Sequence, residues 1–402
     1  MAKVLVIGGN FAGLTAALET RRRLHDKSHD ITVISMKDHF LYVPSLIWVP
    51  FKEREIDDIV VPIEPVLRRH GVNFINETAL KIDPFQSKVT TDKGNVFDYD
   101  YLVIATGPDL DLSLPGSDPA LKNNTYIGTP AGALEIRQRF FDLLDNPGPV
   151  VVGAAPRAGC IGASYEFLFN IEYHLRRRGV RQKSPVVWVT PEPYLGHFGM
   201  NGVFGGSTSL KLFMNSRKID YRVNAAIASI DKEKVTLESG EVIESALTMI
   251  MPPFLGQEVV RNSPGLGNEK GFIPVLPTYQ HRDFSNIFAA GVAVDVPPFG
   301  TTPIPVGVPK TGFPAETEAR IVAENISRVI NGNHDLTGKP FGEIPGVCVM
   351  DAGHKEVLIY ANHFARPRQF SVVLPNPTYN TTKRFLEKYF LWKARTGLAR
   401  LP

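Results

Sequence analysis

Two cysteines in 402 residues exclude a disulfide-stapled scaffold. With no C-x-x-C pair and no histidine cluster, nothing in the spacing suggests a metal centre. The chain also lacks any run of about 18 apolar residues, so no transmembrane helix is expected. Because the N-terminal MAKVLVIGG already reads as a strand, no signal peptide is expected either. Any membrane contact should therefore be peripheral. Net charge is small, a formal +3, but it is unevenly placed. The tail after Asn380 holds Lys383, Arg384, Lys388, Lys393, Arg395 and Arg400 against Glu387 alone, and without these residues 38 bases face 40 acids. A near-neutral body with a basic tail argues for a local surface contact and against nucleic acid binding along the whole molecule. What remains is ordinary globular composition, 43% apolar and 21% charged, with length for roughly two or three domains.

The chain is organised around Val150 to Phe167, VVVGAAPRAGCIGASYEF, where an apolar strand runs into a small-residue turn and a helix that opens at Cys160. Such a turn favours phosphate through its backbone N–H groups and the helix dipole. Counted from Gly153, however, the fingerprint G-x-G-x-x-G needs glycines where Ala155 and Ala158 stand, and the next strand, Val186 to Val189, runs into Thr190 and Pro191 instead of an acid for the ribose. The stretch keeps a dinucleotide architecture and is expected to have lost the nicotinamide nucleotide. A lone cysteine there is ordinarily a small buried apolar residue. A first strand–turn–helix unit stands at the N-terminus: Lys3 to Ile7, then Gly8, Gly9, Asn10, Phe11, Ala12 and Gly13, then a helix from Leu14 to about Leu24. Gly8 and Gly13 fit the first and third glycines, and Asn10 takes the second, adding bulk beside the phosphate. The strand Ile31 to Ile34 ends in Ser35, which leaves the ribose to a hydroxyl or to main chain.

Tyr101 to Gly107 (YLVIATG) and Asn286 to Val294 (NIFAAGVAV) are strands ending in small residues that can pack against a bound dinucleotide. Short β-rich pieces follow each unit, at Val72, Ala79, Lys88 and Val96, and again near Tyr221, Ala228, Val235 and Val242. The fold class expected is α/β: two Rossmann-like dinucleotide-binding domains in series, each with an inserted meander. Pro297 to Pro314 is rich in proline and glycine and carries one charge, Lys310. Such a loop usually covers a core. A buried lysine needs an anionic partner. Ala315 to Ile330 reads as a helix, and a small C-terminal region from about Asn333 includes VCVMDAG with Cys348.

Taken together, the segments YVPSLIWVPFKERE, PEPYLGHFG, TTPIPVGVPKTG, VCVMDAG and EKYFLWKARTG, with the two glycine turns, resemble sulfide:quinone oxidoreductases over nearly the whole chain. The resemblance implies an FAD-binding domain at residues 1–112 and 270–332, a degenerate NAD-type domain at 113–269, and a C-terminal region at 333–402 with a membrane-associating amphipathic helix. It implies that Cys160 and Cys348 form a redox pair beside the flavin. It also places Gly8, Asn10, Gly13, Ser35, Pro44, Ala79, Thr106, Gly107, Gly291 and Lys310 at the cofactor. Many members carry a third cysteine where Gly128 stands and a histidine where Gly132 stands. With two cysteines the site is closer to the flavoprotein subunits of flavocytochrome c sulfide dehydrogenases, and FAD is expected to be held without a covalent bond.

In that chemistry hydrosulfide opens a Cys160–Cys348 disulfide, giving a persulfide and a thiolate, and two electrons pass to the flavin. Glu166, on the same helix as Cys160, is either a proton acceptor or a solvated surface residue. His197 is either part of a proton path or the brace of a loop, and Lys310 is placed to stabilise negative charge on the ring. In the tail, Phe385, Leu386, Tyr389, Phe390 and Trp392 fall on one helix side with Lys383, Arg384, Lys388, Lys393 and Arg395 around them. This is expected to lie on a lipid surface from which quinone enters, or else to dock on the body or a second subunit, so a homo-oligomer stays open. Two other readings remain: a type II NADH:quinone oxidoreductase, which needs a working second turn, and a sulfide-binding flavoprotein that passes electrons to a cytochrome.

Overall fold

The computed structural model describes residues 1–353, 355–376 and 380–398. In chain order the elements that build the site are β1 (Lys3–Ile7), α1 (Phe11–Arg23), β2 (Asp30–Ile34), β3 (Asn73–Ile75), β4 (Tyr101–Ile104), β5 (Val150–Ala154), α2 (Ile161–Arg177), β6 (Val186–Val189), β7 (Ile219–Arg222), β8 (Leu247–Met251), β9 (Ile287–Ala289), α3 (Gly312–Ile330), β10 (Gly346–Asp351), β11 (Glu356–Ala361), β12 (Ser371–Asn376) and α4 (Thr381–Thr396). Strands β9-β4-β1-β2-β3 form one parallel sheet in that order. A second parallel sheet runs β7-β6-β5-β8. Parallel strands are covered on both faces, which is why their sequences are short unbroken apolar runs and not alternating ones. VLVI in β1 and YLVI in β4 are of that kind, and LTMIM in β8, with one threonine, is buried at every position.

Each sheet has a three-stranded antiparallel meander inserted in its chain order, Ala79–Asp83, Lys88–Thr91 and Val96–Asp98 between β3 and β4, and Ile227–Ile230, Lys234–Leu237 and Val242–Glu244 between β7 and β8. The expected duplication is therefore present. A third, antiparallel sheet, β10-β11-β12, sets Cys348 opposite Ile359.

Two packings bring the site together. Helix α3 lies along α1, and both helices bury alanines, Ala12, Ala16 and Ala17 in α1 and Ala315, Ala319 and Ala323 in α3, small side chains that allow close packing. Helix α4 packs on β10 and on the strand Val60–Pro62. No described helix is long and apolar enough to cross a membrane.

Candidate active site

The first glycine turn closes as tightly as its sequence suggests. Gly8 has φ +110°, and a Cβ there would lie 2.2 Å from the Ala105 carbonyl oxygen; one at Gly13 would lie 1.9 Å from the Gly8 carbonyl oxygen. Gly9 is closely packed as well, a Cβ there meeting the movable tip of Ile63 at 2.5 Å and Ser35 Oγ at 3.1 Å. Asn10 turns its side chain away from the turn: Oδ1 accepts from the Leu41 amide at 3.3 Å and makes no cap bond to α1. The first amides of α1 thus keep no side-chain cap, the condition in which a helix N-terminus takes a phosphate. Ser35 donates its hydroxyl proton to the Lys37 carbonyl at 2.8 Å and accepts from the Lys37 amide at 3.2 Å, so its hydroxyl is held by its own loop.

The neighbouring residues converge on the same edge of the sheet. Thr106 Oγ1 is buried with no partner. Gly107, at φ +71°, has open space where a Cβ would be, and Gly291, at φ +76°, packs on Ala12 and Ala315. An orphaned hydroxyl beside an open, Cβ-free cradle fits a dinucleotide cofactor. Pro44 is exposed on the short helix Val43–Trp48, and Ala79 is half-buried at the start of its meander strand.

Both cysteines are free thiols. Cys160 is the N-cap of α2. Burial holds its thiol above the usual range, against the amides of Ala163 and Gly162, which pull it down. Cys348 is exposed at its own surface yet surrounded by protein, the condition of a side chain that lines a crevice. Burial, Glu166 and Cys160 push its thiol up to about 12, and Lys383 acts in the opposite direction. Each thiol thus feels the same acid and the same lysine.

Glu166 does not solvate a helix surface. It is buried, pairs with Lys383 of α4 and accepts from the Asp351 amide at 2.9 Å. Burial raises its carboxyl above the ordinary range, and Lys383 opposes that shift. Asn170 donates to the Asp351 carbonyl at 3.2 Å, and Trp48 Nε1 donates to Asp351 Oδ2 at 2.7 Å. The Cys160 helix and the Cys348 strand are locked together by this set.

Lys310 finds its partners inside the chain. Its ammonium donates to the Val294 carbonyl at 2.6 Å and the Val292 carbonyl at 3.3 Å, and lies 3.8 Å over the Phe272 ring. Burial lowers it to about 8, with Glu318 and Asp295 opposing. Glu318, only 1% exposed, accepts from the Gly291 amide. Burial pushes its carboxyl up to about 8. Nothing in the α3 sequence distinguished this acid from Glu316 and Glu324 on the same helix. His197 braces a loop: Nε2 meets Asn201 Oδ1 at 3.0 Å and Nδ1 accepts from the Gly199 amide at 3.2 Å.

The expectation of a basic collar around the tail aromatics needs correction. Lys383 and Lys393 are buried against Glu166 and Glu316, and Arg384 pairs with Glu53 at 2.7 Å. Glu387, also buried, is gripped by Arg54 at 2.9 Å and by the Ser45 hydroxyl at 2.6 Å. Phe390 stacks inward on Tyr42. Phe385, Tyr389 and Trp392 make the outer stripe, with Lys388 and Arg395 the exposed bases beside it. Arg400 lies outside the described residues.

A family model for pyridine nucleotide-disulphide oxidoreductases matches residues 2–303. The chain belongs to that family. Membership implies a flavin, in agreement with the cradle at Gly8, Thr106 and Gly107. Among relatives, a sulfide-quinone reductase of Aquifex aeolicus is 38% identical over 404 residues, covering 99% of this chain and 92% of its own. The crystal structure of the sulfide:quinone oxidoreductase from the same organism superposes with a TM-score of 0.94 at 36% identity, again over 99% and 92% of the two chains. A type II NADH:quinone oxidoreductase of Staphylococcus aureus is 25% identical over 82% of this chain and 83% of its own. The NDH2 structure from Plasmodium falciparum, at 14% identity and a TM-score of 0.74 over 98% and 96% of the chains, shares the fold alone.

Proposed function

We propose that the protein oxidises sulfide through Cys160 and Cys348 and passes the electrons, by way of a non-covalently held FAD, to a membrane quinone. The observation that carries the reading is the convergence of the two cysteines on one buried Glu166–Lys383 pair. Hydrosulfide attacks the Cys348 sulfur of the oxidised pair, one S–S bond forming as the other breaks. Burial raises both thiols; Cys160 is the leaving thiolate because the amides of Ala163 and Gly162 at the start of α2 oppose that rise, whereas Glu166 and Cys160 push the Cys348 thiol further up. Glu166, whose carboxyl is raised by burial, takes the proton released as sulfide is consumed. Bound flavin supplies the two-electron acceptor that no side chain provides. Each hydrosulfide oxidised to sulfane sulfur releases two electrons and one proton.

Helix α4 sets the outer stripe of Phe385, Tyr389 and Trp392 at a lipid surface, from which quinone reaches the flavin. The test is a visible spectrum of purified protein titrated with sulfide, NADH and a short-chain quinone. Sulfide should bleach the flavin, quinone should restore it, and NADH should leave it unchanged. Cys160→Ser and Cys348→Ser should each stay yellow and lose the bleaching. Near-normal turnover in either variant would reduce the cysteines to packing residues.

A further inference from the structure

The second glycine turn is closed by more than its two methyl groups. Its amides are already paired: Ala155 donates to the Met251 carbonyl at 2.9 Å, Gly159 to the Pro252 carbonyl at 3.3 Å, and Arg157 to the Pro305 carbonyl at 2.8 Å. The last of these partners belongs to the proline-rich loop, which arrives from about 150 residues further along the chain. Gly307 of that loop lies so close to the turn that a Cβ would sit 2.0 Å from the Ala158 carbonyl oxygen and 2.7 Å from that of Arg157. From the other side the His197 loop holds the segment in place, since a Cβ at Gly199 would lie 1.9 Å from the Gly307 carbonyl oxygen, and Asn201 donates to the Phe299 carbonyl at 2.7 Å.

A dinucleotide's diphosphate binds at just such a turn, through amides that point outward at the end of the first strand. Here a backbone carbonyl takes one of those amides. Beyond it, a cavity of about 430 Å³ remains at the carboxyl end of β7, lined by Arg222, Asn224, Ala226, Glu238, Glu241 and the loop's own Ile304. It is of a size for a nucleoside. The first acid after β6 is turned inward: Glu192, fully buried, accepts from Tyr165 Oη at 2.7 Å, the Phe198 amide at 2.7 Å and Thr190 Oγ1 at 2.9 Å.

We propose that residues 301–307 are a built-in occupant of the second nucleotide site, standing where the diphosphate of a nicotinamide dinucleotide would lie, and that this plug sets the donor specificity of the enzyme. The adenosine half of the site survives behind it. The inference does not depend on the identity of the sulfur donor, and it separates two causes of NADH exclusion: the methyl groups of Ala155 and Ala158, or the loop.

Gly307→Ala inserts a methyl group where 2.0 Å is available and should push the loop off the turn. Its effect is read by hydrogen exchange at the Arg157 amide and by titration of the flavin-loaded protein with ADP-ribose and NADH. Exchange at Arg157 should accelerate, and both ligands should bind at least tenfold more tightly than to the parent. Ala158→Gly, which restores a glycine and leaves the plug seated, should bind neither. If Gly307→Ala does not retain flavin, Asn201→Ala loosens the same loop from its far side and is read in the same way. Binding by Ala158→Gly alone, tight binding by the parent, an unchanged Arg157 exchange rate, or a freed loop with no gain in affinity would each overturn the proposal.

Discussion

Replacing Lys383 with methionine removes the one cation that both thiols and Glu166 share. Lys383 is 3% exposed, and its partner Glu166 would be left as a buried carboxylate bonded only to the Asp351 amide. Breaking a buried pair by removing one member costs about 3–5 kcal/mol, so the midpoint of unfolding should fall by many degrees. Glu166→Gln should also destabilise, by stranding the ammonium. The double variant carries no stranded charge, and its loss should be about 2–4 kcal/mol smaller than the sum of the single losses. The two substitutions move the thiols in opposite senses. Lys383 lowers both and Glu166 raises both, and a charge beside a buried ionisable group ordinarily shifts it by about one to three units. The acid limb of sulfide-driven flavin reduction should therefore move to higher pH in Lys383→Met and to lower pH in Glu166→Gln, by on the order of one unit or more. Stopped-flow bleaching between pH 6 and 10 reads the limb, and chemical denaturation reads the cycle. Additive losses together with three superimposable pH profiles would refute the pairing as the control on the thiols.

Glu318 and the flavin offer two further checks. The Glu318 carboxyl is pushed up to about 8 by burial, so the folded chain holds a proton that the unfolded chain releases at the ordinary carboxylate value. That stabilisation is complete below the unfolded pKa and is lost as pH rises towards 8, a contribution of at most several kcal/mol. Lys310, held down to about 8, adds a slope of opposite sign only above that value. Glu318→Gln should flatten the fall in melting temperature between pH 5 and 8, and an unchanged slope would count against a proton at Glu318. For the flavin, acid precipitation should leave free yellow FAD in solution over a colourless pellet, since both cysteines are free and the proposed cycle uses both in exchange. A cysteine peptide heavier by one flavin would contradict this.

What could be read from the sequence was what depends on neighbours in the chain. The turn at Gly8 to Gly13, the strand ends at Thr106 and Gly291, and the helix opening at Cys160 are each local signals of strand, turn and helix, and the structure brings all of them to sheet edges. The repeated meanders follow from the same kind of signal. What could not be read depends on pairs far apart. Glu166 and Lys383 are 217 residues apart, and a helical wheel places both outside because it treats charge as solvated. Glu192 stands three residues past the end of β6, near where an acid could face a ribose, and only the tertiary contacts with Tyr165 and Phe198 show that it points inward. The loop at Pro305 reads as a cover, and the sequence does not say what it covers.

The same misreading of charge changes how the membrane role of α4 should be tested. Truncation after Asn380 looks like a clean removal of an anchor, yet it would take Lys383, Glu387 and Lys393 out of the protein interior and leave Glu166, Arg54 and Glu316 without those partners. Loss of sulfide oxidation in such a chain would report a damaged site and nothing about lipid. The outer stripe can be altered without touching these contacts, because Phe385 is 66% and Trp392 45% exposed. Inserting two such rings into an interface removes on the order of 100 Å² of apolar surface each from water, worth about 2–3 kcal/mol apiece. The exposed bases Lys388 and Arg395 add about 1 kcal/mol each on anionic lipid. Phe385→Ser with Trp392→Ser should thus lower binding to anionic liposomes by two orders of magnitude or more, and raising salt should weaken the parent far less than the double substitution does. Bleaching of the flavin by sulfide in detergent-free buffer should proceed at the parental rate. A double variant that still pellets with liposomes at low salt would place the anchor elsewhere on the molecule.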